Sequence, residues 1–230
     1  MLRRFVAILT AALLAGAAAV AAPQQYKIVT ASERGTYIQI GRDIAKFVTP
    51  AANIELEVLP SAGSAENVER LRYEPGVKFA MVQSDVYQAF LDLAAGGNAD
   101  AGAMITPLRV IMPLYNEEIY FIVRADSYPN LLAEDVPSVA VKAFLVTYDY
   151  KLAVTGDHLA RFARSLCQNF AQLQAQGHPK WREVQLGLPE LGRGWSYYPL
   201  TERVLRTCAL SQAQQKARCS QQERILGLCK

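Results

Sequence analysis

Three short β-rich runs, Tyr26–Thr30, Ile54–Val58 and Phe79–Val82, each give way after a turn or loop to apolar residues at helical spacing. Ile40, Ile44, Phe47 and Val48 follow the first, Val68 and Leu71 the second, and Val86, Phe90 and Leu93 the third. Strands that alternate with helices cannot be joined by hairpins. They have to cross over the sheet, which predicts an α/β fold with a largely parallel sheet and helices on both faces. Ile54, Leu56 and Val58 alternate with Glu55 and Glu57, so the second strand has one buried face, and Pro60 ends it. Ser64 and Ser84 stand where hydroxyls cap helix N-termini.

Beyond this alternation, the Gly- and Asn-rich stretch Gly96–Ala103 reads as a surface loop. Two strands follow, Arg109–Leu114 and Glu118–Val123, and then a polar, turn-like interval from Arg124 to Pro137. Val139–Thr147 resumes as a strand. A long amphipathic helix, capped by Thr155 or Asp157, runs to about Gln176 with Leu159, Phe162, Ala163, Leu166, Phe170 and Leu173 inward, and Gly177 and Pro179 end it. Trp181–Tyr198 reads as an irregular strap. The last thirty residues read as a helical tail.

The N-terminus, with Arg3 and Arg4, an apolar run Phe5–Leu14 and small residues ending at Ala19-Val20-Ala21, has the layout of a secretory signal peptide cleaved after Ala21. That run is too short to cross a bilayer, which takes roughly 20 apolar residues. Export to the periplasm as a chain that does not span the membrane is the expectation. Loss of Arg3 and Arg4 takes the formal charge from +3 to +1, which disfavours nucleic acid as a partner. An oxidising compartment makes disulfides the expected state of Cys167, Cys208, Cys219 and Cys229, in any of three pairings, as a structural staple of the tail.

In an open α/β sheet the ligand crevice lies beyond the carboxyl ends of the strands, where helix N-termini present free amides. Three loops share that address: Ser32–Tyr37, Ser61–Asn67 and Gln83–Asp85, with Gly35 and Gly63 allowing close backbone approach. Each could equally be a plain set of helix caps. Catalysis is not expected. His158 and His178 have no Gly-x-Ser-x-Gly elbow and no metal-ligand spacing to pair with, and adjacent Glu117 and Glu118 point to opposite faces of a strand. The two histidines read as surface or capping residues.

The order of these loops resembles the TAXI family of periplasmic solute receptors, which serve TRAP-type secondary transporters. The matching text is Gly35-Thr36-Tyr37 after the first strand, Ser61-Ala62-Gly63-Ser64-Ala65-Glu66-Asn67 after the second, Val82-Gln83-Ser84-Asp85 after the third, and Pro113–Glu118. These four span about Tyr26 to Asp126. A weaker likeness resumes at Tyr128-Pro129-Asn130 and continues through Val139–Thr147 to Arg161–Phe170. The resemblance implies a lobe of the type II periplasmic-binding-protein kind, closing on a small organic acid or glutamate-like amino acid held by Thr36, Tyr37, Ser61, Gly63, Ser64, Asn67, Gln83, Ser84 and Tyr115, and delivering it to membrane subunits. Some relatives hold calcium, but no acidic cluster places one here, and no other cofactor is implied.

Set against that family, the chain divides into a signal peptide at 1–21, a first part of lobe I at 22–126, a short connection at 127–138, a returning part at 139–200 and a Cys-containing tail at 201–230. The second lobe should leave the chain near Asp126 and return at Tyr128. The interval is far below the roughly 40 residues at which an unaided domain becomes plausible, so the second lobe is expected to be largely absent and ligand binding impaired. A non-binding remnant or scaffold derived from such a receptor is the alternative, and a secreted hydrolase a more distant one.

Overall fold

The computed structural model describes residues 22–118, 124 and 139–218. The expected signal peptide, the whole 127–138 connection, the strand text after Glu118, and Cys219 and Cys229 lie outside these residues. Five strands, β1 (Gln24–Val29), β2 (Ile54–Leu59), β3 (Val77–Gln83), β4 (Leu108–Glu118) and β5 (Ala140–Tyr148), form one sheet in the order β2-β1-β3-β5-β4. The pairs β1/β2 and β1/β3 are parallel, and β5 runs antiparallel between β3 and β4. Four of the five strands therefore point one way, and the fold is α/β with a mainly parallel sheet flanked by helices.

Packing follows the apolar periodicity. Ile28, Val29, Phe79–Val82 and Val110–Met112 are fully buried on consecutive positions, as expected of a sheet covered on both faces. Helix α1 (Thr36–Asp43) widens into one π turn at Ile44–Val48, where Thr49 N–H reaches Ile44 O. It lies so close to β1 and β2 that a Cβ on Gly41 would meet Thr30 Cγ2 and Val58 Cγ1 at 2.9 Å. Helix α2 (Ser64–Tyr73) buries Val68 and Leu71. The long helix, Ala153–Gln176, here α5, presents the expected inward set, with Phe162 stacked 4.7 Å from Phe79. Each such large apolar side chain removed from water contributes about 1.5–3 kcal/mol. Helix α6 (Pro199–Arg218) is joined to α5 by a disulfide between Cys167 and Cys208.

Several sequence expectations are corrected. Gly96–Ala103 is not simply a loop: Ala99–Ile105 form helix α4, whose Asn98 side chain accepts from Ala101 N–H and which buries Ala101 and Ile105. The cap and the alanine content outweigh the Gly pair at 96–97. Arg109–Leu114 and Glu118 belong to one strand. Pro113 and the polar Asn116-Glu117 are absorbed by register shifts against β5 instead of ending the strand. In α3 (Ser84–Ala95) the buried position is Tyr87, while Leu93 is 53 % exposed, so the inward face is rotated from the one expected. Tyr87 meets Phe144 and Trp195, and burial pushes its hydroxyl up to about 12.

Neither Ser64 nor Ser84 caps its helix, and Thr155 and Asp157 lie inside α5, whose N-cap residue is Leu152. Both serine hydroxyls instead join separate elements. Ser64 Oγ accepts Gln83 N–H at 3.0 Å and Ser84 Oγ accepts Lys142 N–H at 2.9 Å.

The strap begins with a 3-10 turn at Pro179–Glu183 and continues extended, with Val184, Leu186 and Leu188 inward. It ends on the free edge of β4: Val110 N–H donates to Ser196 O, and Tyr198 N–H donates to Val110 O, both at 2.9 Å. The opposite edge strand, β2, shows exposed Glu55 and Glu57, charges that discourage edge-to-edge pairing.

Candidate functional site

The parallel strands β1, β2 and β3 bring their carboxyl ends to one edge, and the loops Ser32–Tyr37, Ser61–Asn67 and Gln83–Asp85 meet there as the sequence predicts. A polar lattice holds them. Asn67, fully buried, donates through Nδ2 to Thr30 O and, at 2.7 Å, to Met81 O, so one amide ties the ends of β1 and β3. Ser61 Oγ bonds Asn67 Oδ1 at 2.6 Å and accepts Gly63 N–H at 3.1 Å. Gly63 itself has φ 129°, a conformation essentially confined to glycine. The side chains of Ser61, Ser64, Asn67 and Ser84 are thus occupied in shaping the edge.

Two residues of the expected set differ. Tyr37, on the first turn of α1, and Tyr115, near the end of β4, approach edge to face with ring centroids 6.4 Å apart. They are 6 % and 1 % exposed; the Tyr115 hydroxyl has no hydrogen-bond partner among the described residues, and that of Tyr37 makes no bond of normal geometry there, only contacts with Glu117 and Ser64. Burying a hydroxyl without a partner costs about 1–3 kcal/mol by protein mutational data, so the pair is an energetic anomaly in an otherwise satisfied region. Burial, and then the nearby Glu117 carboxylate, push both phenols far above the ordinary tyrosine range. They stay protonated and able to donate.

Glu117 is the residue that sequence reasoning passed over. The signal was available: strand alternation places it on the same face as Tyr115. It accepts a hydrogen bond from Gln83 Nε2, so two half-buried polar side chains from β3 and β4 close against each other beside the phenols. Glu118, on the other face, pairs with Lys180 at 3.4 Å, and Lys180 Nζ also lies 5.6 Å from the Tyr115 ring centroid. Thr36 sits half-buried at the start of α1.

Residues 28–133 match the model of the NMT1-like family. The matched stretch runs from β1 through β4 and stops before β5, a little under half of the chain. No curated protein sequence matches. Among solved structures, the chain is similar to a Candida albicans gene product that defines a family with the generic periplasmic binding protein fold, with 8 % identity, TM-score 0.41 and 80 % of each chain covered. It is also similar to a TRAP periplasmic solute-binding protein from Bordetella bronchiseptica whose density was interpreted as pantoate, with 11 % identity, TM-score 0.37, and 86 % of this chain and 96 % of that one covered. A further Bordetella bronchiseptica RB50 structure gives 7 % identity and TM-score 0.36, covering 83 % of this chain and 82 % of that one.

An open cleft of about 480 Å³ lies between the β4 edge and the strap, lined by Pro113, Leu114, Lys142, Glu183, Leu188 and Pro189 among others. None of the residues expected from sequence to hold a ligand lines it. The histidines have structural neighbours. His158 Nδ1 is 2.6 Å from the hydroxyl of buried Tyr26, more than a surface role, and the ring of His178 accepts Lys180 N–H at the head of the 3-10 turn. No group of three or more His, Cys, Asp or Glu residues arranged to hold a metal occurs among the described residues.

Proposed function

We propose that this chain is the core of an exported solute receptor of the TAXI kind, working with TRAP-type membrane subunits, and that its ligand site is the carboxyl edge of the sheet around Tyr37, Tyr115, Gln83 and Glu117. The observation that carries this reading is the pair of buried phenolic hydroxyls, that of Tyr115 without a partner among the described residues and that of Tyr37 held only by contacts with Glu117 and Ser64. Protonated phenols and the amides at the starts of α1, α2 and α3 suit a carboxylate. Glu117 beside them suits an ammonium or another donor, so a small organic acid or a glutamate-like amino acid fits. Gly63, Ser61, Ser64, Asn67, Ser84 and Thr36 shape the cradle. The residues that convey an address, 1–21, suit secretion to the periplasm.

The receptor is proposed to be one-lobed. The chain between Glu118 and Val139 is far shorter than the roughly 40 residues a second domain would need. A site with one wall leaves the far side of a ligand in water and forgoes hinge closure, so binding is weak or lost. Calorimetric titration of monomeric protein with amino and dicarboxylic acids tests both parts. Weak, saturable heat that Tyr115→Phe and Gln83→Ala diminish supports the reading. Sub-micromolar affinity with compaction in solution scattering would overturn the one-lobe part. No heat with any acid leaves the remnant reading standing in place of the receptor.

A further inference from the structure

At the opposite, amino end of β3 a second cleft, about 300 Å³, opens between the end of α2, the start of β3 and the end of β5. Its walls are aromatic. Tyr148 and Tyr150 stand edge to face with centroids 6.4 Å apart, and their hydroxyls are engaged, Tyr148 donating to Met104 O and Tyr150 to Val77 O. Against these rings lie two cations. Arg72 Cζ is 5.9 Å from the Tyr148 centroid and 5.7 Å from that of Tyr73, and Lys78 Nζ is 4.1 Å from the Tyr150 centroid.

The charge balance of this cleft is uneven. Glu74 and Asp149, the carboxylates on its rim, each already face two cations, Glu74 with Arg70 and Lys27, Asp149 with Arg109 and Lys151. Arg72 and Lys78 have no carboxylate partner among the described residues. A ring face attracts a cation only weakly and leaves its N–H groups free to bond elsewhere. Lys78 is half-buried, and desolvation holds its ammonium below the ordinary lysine range. A partly desolvated ammonium with no counter-charge, in one cleft with an exposed guanidinium that also lacks one, is what an anion site looks like before it is filled.

We infer that this amino-end cleft binds a small oxyanion, a phosphate or a carboxylate, with Arg72 and Lys78 as its counter-charges and the tyrosine rings as walls that fix both cations. The site is independent of the receptor reading, because it uses none of the residues at the carboxyl edge. The test is a titration of the full chain with inorganic phosphate and, separately, with succinate, followed by the NMR signals of Lys78 and Tyr73. Saturation with one or both anions, weakening as salt rises, and a binding constant at least tenfold weaker in Lys78→Met and in Arg72→Gln, supports the site. Lys78→Arg should retain binding, and the Lys78 ammonium should titrate at higher pH once the anion is bound. The two arms separate a phosphate source from a carboxylate one. Linear shifts equal to those produced by chloride, or unchanged binding in variants whose thermal melts match the parent, would overturn it.

Discussion

Asp43 Oδ2 accepts the indole N–H of Trp181 at 2.9 Å and the His178 backbone N–H at 2.7 Å, joining the end of α1 to the strap 138 positions later. Trp181 is fully buried, so removing the acceptor leaves its N–H unsatisfied. Asp43→Ala should lower stability by about 1–3 kcal/mol in urea unfolding. Gly177→Ala should be worse: its Cβ would lie 2.6 Å from Leu173 O, 2.7 Å from Trp181 Cδ1 and 2.8 Å from Asp43 Oδ2, and the first of these is backbone.

The buried phenols make a prediction that needs no ligand. Deleting a buried hydroxyl that bonds to nothing removes a desolvation cost, so Tyr115→Phe should raise stability by about 1 kcal/mol, whereas Tyr37→Phe, which also gives up the contacts with Glu117 and Ser64, should raise it less. Both substitutions should at the same time weaken binding of any acid that the site holds. A stability loss on chemical denaturation would show that the hydroxyls are satisfied in solution.

His158 supplies a pH dependence. Burial, and then the Arg161 charge, hold its imidazole below the ordinary value, so the folded chain resists protonation more than the unfolded chain does. This residue contributes nothing to the pH dependence where both states are neutral. It costs stability as pH falls from about 6.5, the unfolded value, through the lower folded value. Equilibrium unfolding from neutral to mildly acid pH should show this decline, and His158→Gln should flatten it.

Peptide mapping without reduction should recover Cys167 linked to Cys208, whose Cα atoms are 6.2 Å apart. Reducing agent, or Cys208→Ser, should cost about 2–4 kcal/mol in thermal unfolding, as expected for a loop of this length. The loss should appear first as fraying of α6, which α5 and the strap otherwise hold.

The first half of the sheet was legible because its information is local. Period-two alternation in Ile54–Val58 and helical spacing in Ile40–Val48 and Leu159–Leu173 report burial directly. What was not legible depends on contacts distant in sequence. The choice of Cys208 for Cys167 follows from how α5 and α6 pack, and periodicity says nothing of that. Nor does it show that Ser64 and Ser84 each tie a helix start to a strand, β3 and β5 respectively, instead of capping their own helices. Of the expected ligand set, sequence position marked Tyr37 and Tyr115 as candidates, but only the packed structure reveals that both hydroxyls are buried and that of Tyr115 has no partner among the described residues.

The position of β5 has a consequence for how the chain reaches this state. Strand β4 does not touch β3; β5, made later, lies between them and bonds to both. A nascent chain that has emerged as far as β4 therefore holds four of the five strands and no way to join the fourth to the rest. Its two exposed edges wait for residues synthesised after position 139, and pairing at that distance is slow because the loop must close before any contact rewards it. Until then those edges are open to partners from other chains, so the vulnerable interval is the one before β5 docks, and a holding chaperone or fast passage through that interval should decide its yield.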